Sequence, residues 1–97
     1  MPHFICFLNW TDEGAKNVKD ISKRHDAAQS LAASLGGKVV GAYVTSGQHD
    51  VVAILEMPDG EAMAKFAATT SSRGQARTTT VRAYPNDEFS RIVSSLP

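Results

Sequence analysis

The side chains able to do chemistry in this sequence are few. His3, His25 and His49 are the only histidines, and Cys6 is the only cysteine. One cysteine excludes an internal disulfide framework and a multi-cysteine zinc site. Cys6 lies inside an apolar run, where burial raises a thiol's pKa, so it reads as core rather than as a nucleophile. Two short charged clusters remain, Arg24-His25-Asp26 and His49-Asp50. Neighbouring residues on a strand point to opposite faces, so His49 and Asp50 do not form an acid–base pair there; an exposed turn histidine is the simpler reading. Arg24 begins a helix, where it either faces solvent or reaches a rim. Trp10 either plugs the end of a core or lines a pocket, since a large aromatic with one polar edge suits both. A glycine-rich phosphate loop, Ser-His-Asp spacing, HExxH and CxxC are all absent from the sequence. No catalytic residue is assigned, and neither a metal nor a cofactor is expected.

Composition narrows the class. The chain has 97 residues, enough for one domain spanning 1–97, with 10 Lys+Arg against 10 Asp+Glu. Zero net charge argues against a nucleic-acid partner, because binding a phosphate backbone draws on a basic excess. The longest apolar run, Phe4 to Leu8, is too short to cross a bilayer, and no basic stretch precedes it as in a signal peptide. A folded chain with no membrane partner is expected.

Periodicity orders the elements. Residues 3–10 form an unbroken aromatic and aliphatic run that reads as a strand. Thr11 to Gly14 ends it, and 15–21 is either a loop or a loose helical turn. A helix follows, capped by Ser22, with Ala28, Leu31, Ala32 and Leu35 on one face and Gly36-Gly37 as its stop. Strands over 39–45 and 50–57 flank Ser46-Gly47-Gln48-His49, which suits a type II′ hairpin turn. Asp59 caps a second helix whose inward face is Met63, Phe66, Ala67 and Thr70, and Gly74 stops it. A β-branched strand covers 76–84. Asn86 caps a last helix with an apolar stripe of Phe89, Ile92, Val93 and Leu96. The order β-α-β-β-α-β plus a terminal helix predicts an α+β, ferredoxin-like antiparallel sheet, strand order 4-1-3-2, with both main helices on one face.

Strand parity then divides the side chains. With Gly47-Gln48 as the turn, Val44 faces Val51, Ala42 faces Ala53 and Val40 faces Leu55, while Val39 faces Glu56. Those small aliphatics, with Phe4, Cys6, Leu8, Thr79, Val81 and Ala83, are assigned to the helices. The opposite face receives Ile5, Phe7, Asn9, Tyr43, Val52, Ile54, Glu56, Thr78, Thr80, Arg82 and Tyr84. Its aliphatic and aromatic members do not belong in water together, so a homodimer is predicted, two sheets closing into a dimeric α+β barrel. The alternative is that the last helix folds back over this face. In the dimer, Asn9, Tyr43, Glu56, Thr80 and Arg82 would project into an enclosed space. They either pair across it, Glu56 with Arg82, or line a wet cavity for a small molecule.

The topology also gathers Trp10, Asp12, Glu13, Arg24, His25, His49, Asp50, Arg73 and Arg77 near one rim. His3 falls at the other end of a strand roughly 26 Å long, which argues against a three-histidine metal site. The candidate ligand-binding residues are Asn9, Trp10, Arg24, Tyr43, His49, Asp50, Thr80 and Arg82.

Several segments resemble the GYD-domain family: Met1-Pro2, a strand ending in Trp10-Thr11 with Gly14 after it, Val18-Lys19-Asp20 running into Arg24, and Leu35-Gly36-Gly37-Lys38-Val39. Gly47-Gln48-His49-Asp50-Val51-Val52 follows at the place that names the family, then Gly74-Gln75-Ala76-Arg77-Thr78, Arg82-Ala83 and Asp87-Glu88-Phe89. Here His49 replaces the naming tyrosine, an imidazole for a phenol. The resemblance implies a dimeric ferredoxin-like barrel in a small bacterial cytoplasmic protein, and implies no reaction. Three functions remain: a small-molecule-binding dimer, with its ligand in the barrel or at its rim; a cofactor-independent monooxygenase or isomerase, by analogy of fold; and a structural or regulatory subunit acting through protein contacts.

Overall fold

The computed structural model describes all residues, Met1–Pro97. Strand β1 (His3–Trp10) is followed by a short helix α1 (Asp12–Lys16), a 3-10 turn (Val18–Asp20) and helix α2 (Ile21–Ser34). Then come β2 (Lys38–Val44), β3 (Val51–Glu56), α3 (Gly60–Ser72), β4 (Ala76–Ala83) and α4 (Asn86–Ser94). The four strands form one antiparallel sheet in the order β2-β3-β1-β4, the ferredoxin-like arrangement the periodicity predicts.

Local chemistry explains most boundaries and corrects some. Asp59 caps α3 as expected, its carboxylate accepting from the Ala62 N–H at 2.8 Å. Gly36 and Gly74 both take positive φ, +85° and +82°, at the two helix stops. Ser22 does not cap α2, which already begins at Ile21 without a side-chain cap. Asn86 does not cap α4 either; it is the first helical residue, and Pro85 precedes it with its carbonyl bonded to the Phe89 N–H at 2.9 Å. The segment after β1 is helical from Asp12, with the Thr11 hydroxyl accepting from the Gly14 N–H at 3.2 Å. The type II′ turn is not formed: no positive φ occurs at Gly47, and residues 46–49 make a wider loop closed by Thr45 N–H donating to the Asp50 carbonyl at 2.8 Å.

The sheet has one covered face. Phe4, Cys6, Ala53 and Leu55 point toward the helices and meet Ala32 of α2 and Met63 and Phe66 of α3. Cys6 is fully buried, and burial pushes its thiol up, an effect the neighbouring Thr80 hydroxyl opposes only in part.

Register settles which residues share each face, and two assignments change. Opposite β1, Arg82 pairs with Phe4, Thr80 with Cys6 and Thr78 with Leu8. Thr78, Thr80 and Arg82 therefore lie on the helix face, while Thr79, Val81 and Ala83 lie on the open one, the reverse of the sequence expectation. A run of three threonines has no alternation of its own, so only pairing with β1 fixes its parity. In β2 the expected register holds for residues 41–44. A bulge at Val40 then shifts it, so that Val39 faces Leu55 and Lys38 faces Glu56.

The open face carries three rows across the sheet: Tyr43, Val52, Phe7 and Thr79; Gly41, Ile54, Ile5 and Val81; and Lys38, Glu56, His3 and Ala83. Val81 makes the middle row entirely non-polar. The last row is an ion cluster, with the Glu56 carboxylate 3.2 Å from the Lys38 ammonium and 3.4 Å from the His3 ring. Glu56 thus pairs with Lys38 and His3, not with Arg82. The hydrogen bond from Lys38 holds the Glu56 carboxyl below its ordinary value, with the His3 ring adding to the effect. A carboxyl more acidic folded than unfolded stabilises the fold above its unfolded pKa and loses that contribution as pH falls through the folded one. Glu56→Gln should therefore lower the thermal midpoint at about pH 7, by an amount that shrinks progressively as pH falls below the ordinary carboxylate range, as read by circular dichroism.

Candidate functional site

The helix face is not closed along its whole length. Near Ala32, Ala62 and Met63 the helices seal the sheet, since all three are buried. Toward the start of α2 and the end of α3 lies a cleft of about 660 Å3 between helix layer and sheet. Its floor includes Leu8, Ala42 and Val51, and Ala28 and Phe66 form parts of its two helical walls. These floor residues are even-numbered positions of β1 and β2 and an odd-numbered position of β3, placed inward by the period-two alternation of strands.

The polar end is built by an unusually close approach. Gly14 is buried, and a Cβ there would overlap the Gln75 carbonyl oxygen. That carbonyl accepts from the Thr11 N–H at 3.1 Å, joining the segment after β1 to the start of β4. Arg24 reaches across from α2, and its guanidinium donates to the Gly14 carbonyl at 3.2 Å and the Asn17 carbonyl at 3.0 Å. The guanidinium nitrogen on its stem, Nε, is buried without a partner, as is the Thr70 hydroxyl. Trp10, Arg73 and Gln75 also border the cleft. A helix-side cleft with apolar walls and a cationic end can hold an amphiphilic small molecule.

The residues singled out from the sequence separate into distinct places. Trp10 and Arg24 line the cleft. Asp50 braces it from the side: its carboxylate accepts from the Trp10 N–H at 2.9 Å, and its own N–H donates to the Leu8 carbonyl at 3.0 Å. Asn9 and His49 stand elsewhere, beside the open face. The His49 ring lies 3.1 Å from the Asn9 side-chain oxygen through Nδ1 and stacks on Phe7 with centroids 4.6 Å apart. Tyr43 is also on the open face, 62% exposed, with its ring over Gly41. Because β2 is an edge strand, Tyr43 touches the mouth of the cleft, which His49 does not border. His49 and Tyr43 thus share no cavity.

Thr80 and Arg82 do not face a chamber on the open side. Thr80 is packed beside Cys6 in the core layer. Arg82 is a latch at the root of α4: it bonds the Glu88 carboxylate at 2.9 Å and lies over the Tyr84 ring at 4.3 Å and the Phe4 ring at 5.7 Å. The sequence does not single out Thr70 and Gln75 as site residues. Thr70 falls on the inward stripe of α3, but a hydroxyl there looks like any helix residue bonding its own backbone. No three His, Cys, Asp or Glu side chains gather where they could hold a metal ion. No helix is long and apolar enough to cross a membrane.

Fold and cleft together define a ferredoxin-like α+β protein with an apolar groove on its helix side. The GYD domain model matches residues 4–93, so this chain belongs to the GYD-domain family. A relative from Thermus thermophilus, described as a glutamine synthetase and cystathionine beta-lyase binding protein, is 34% identical over 86 residues. That alignment covers 88% of this chain and 90% of the relative. The crystal structure of TTHA0845, also from Thermus thermophilus, matches with a TM-score of 0.55 and 22% identity, covering 88% of this chain and 95% of that one. This structural likeness supports the fold alone.

Asp50→Ala should cost about 1–3 kcal/mol, because it strips a charged acceptor from a half-buried N–H. Urea unfolding would measure the loss. The emission of Trp10, the chain's one tryptophan, should shift to longer wavelength in the folded variant as the end of β1 loosens.

Proposed function

We propose that this protein is a cytoplasmic homodimer that acts as a regulatory binding protein on metabolic enzymes. The observation that carries the reading is that the chain leaves two apolar surfaces bare. One is the open sheet face, with Ile5, Phe7, Val52 and Ile54 only half-buried and Val81 exposed. The other is the stripe of α4, where Phe89 is 53% exposed and Ile92 and Val93 are also uncovered; Leu96, expected on the same stripe, lies past the helix end at Ser94 and is 63% exposed. The terminal helix does not fold back over the sheet, so neither surface covers the other. Contiguous apolar area of this kind marks an interface.

A second copy suits the sheet face. A two-fold axis through the middle row would bury aliphatic side chains at the centre and leave the Lys38-Glu56-His3 cluster at the margin, the usual layout of a core with a polar rim. The α4 stripes would remain outside for another protein, and the relative's description as a binding protein for two enzymes supports that role. A second, compatible reading follows from the cleft. It lies on the opposite side of the sheet from the proposed dimer contact, so a small molecule could occupy it in the assembled protein.

Sedimentation or light scattering at about 10 μM should give the mass of a dimer. Ile54→Lys should give a folded monomer, since burying an unpaired ammonium at the centre of the contact is unfavourable. Phe89→Ser with Ile92→Ser should keep the dimer yet lose at least tenfold in affinity for glutamine synthetase or cystathionine β-lyase of the same organism, by surface plasmon resonance. A wild-type monomer would remove the proposed assembly. A wild-type dimer that binds neither enzyme would remove the regulatory role.

A further inference from the structure

We infer that the helix-side cleft takes an apolar monocarboxylate, its hydrocarbon or aryl body against the sheet and its carboxylate at the Arg24 end. The inference rests on the reading of the cleft as a ligand site and adds the chemistry of what enters it.

Three observations converge on that class. First, the deep walls offer a ligand only dispersion contacts: Leu8, Ala28, Ala42, Val51 and Phe66 carry no polar side-chain atom. The volume, about 660 Å3, falls in the range of small-molecule sites and is far larger than one carboxylate needs. Second, two polar atoms on its walls are buried and unpaired, Arg24 Nε and the Thr70 hydroxyl. Nε can only donate, and the hydroxyl can donate as well, so the missing group is an acceptor. Leaving such groups unmatched is costly, and a carboxylate brings two acceptor oxygens to that end of the cleft. Third, the charges bordering the cleft favour an anion. Lys23, Arg24 and Arg73 stand there against Asp20 and Asp26, with His25 beside them. The Arg24 guanidinium is already held in place by the Gly14 and Asn17 carbonyls, so little ordering is left to be done when the anion arrives. A protonated amine would face the Arg24 guanidinium with like charge and leave Nε without an acceptor, and a dicarboxylate would bring its second charge against an apolar wall.

Trp10 borders the cleft and is the chain's one tryptophan, so its fluorescence reports occupancy directly. The full-length protein should be titrated with 4-phenylbutanoate, with 4-phenylbutan-1-ol and with 4-phenylbutylamine, which share one body and differ in the head. The acid should change the Trp10 emission with at least tenfold higher affinity than the alcohol, and the amine should bind more weakly still. Thr70→Val, which keeps shape and removes the hydroxyl, should weaken the acid several-fold and leave the alcohol unchanged. Arg24→Lys should act in the same direction. Ala28→Phe, which fills the cleft, should abolish binding of both while the far-ultraviolet circular dichroism is retained; if that variant does not fold, Thr70→Val decides alone. Equal affinities for acid and alcohol would overturn the carboxylate assignment and keep the cleft as an apolar site. An unchanged emission with all three compounds up to about 1 mM would overturn the ligand site itself.

Discussion

Strand β1 presents apolar side chains on both of its faces, and the rest of the molecule answers to that constraint. Phe4 and Cys6 turn one way and are sealed by two helices. Ile5 and Phe7 turn the other way and meet Val52, Ile54, the β4 side chains beside them and, at Phe7, the His49 ring, with no helix over them. One helix layer cannot cover both sides of a sheet. The chain therefore folds around one face and leaves the other uncovered. Burying a further aliphatic or aromatic side chain is worth about 1–2 kcal/mol, so a few such residues at the centre of a contact are enough to bias the chain toward association.

The helix side shows a different compromise. α2 and α3 pack tightly where alanine and methionine meet, at Ala32, Ala62 and Met63. At their other ends, α1 and the 3-10 turn are inserted between β1 and α2, and Gly14 is pressed against the Gln75 carbonyl. The cleft lies at that end of the two helices. The groups that frame it, Arg24 on backbone carbonyls and Asp50 on the Trp10 N–H, are structural first. Their fixation is also what would make the site ready for a ligand.

The fold was largely legible in the sequence because its signals are local. The spacing of Ala28, Leu31, Ala32 and Leu35, the Asp59 cap and the two glycine stops each specify their own element. Strand order followed from topology. The candidate site was less legible because it depends on pairing between distant strands. Thr78-Thr79-Thr80 could face either way, and a one-residue difference moved Thr80 and Arg82 to the opposite side of the sheet. The bulge at Val40 did the same to Val39. Rim membership was predictable for Trp10 and Arg24, since the ends of elements are fixed by order alone. The unpaired state of Thr70 and of Arg24 Nε is a property of the surroundings, and no spacing rule encodes it.

The Arg82 latch gives the terminal helix an unequal mechanical character. Its root is held by an ion pair to Glu88 and by stacking on Tyr84, while the nine residues of α4 extend about 14 Å beyond with their apolar side unclad. Such an element behaves as a lever: a few degrees of rotation at the pivot sweep the tip through several times the displacement of the root. Sequence drift at Tyr84-Pro85 could thus redirect the arm and alter which neighbours it grips, with the sheet and its core untouched.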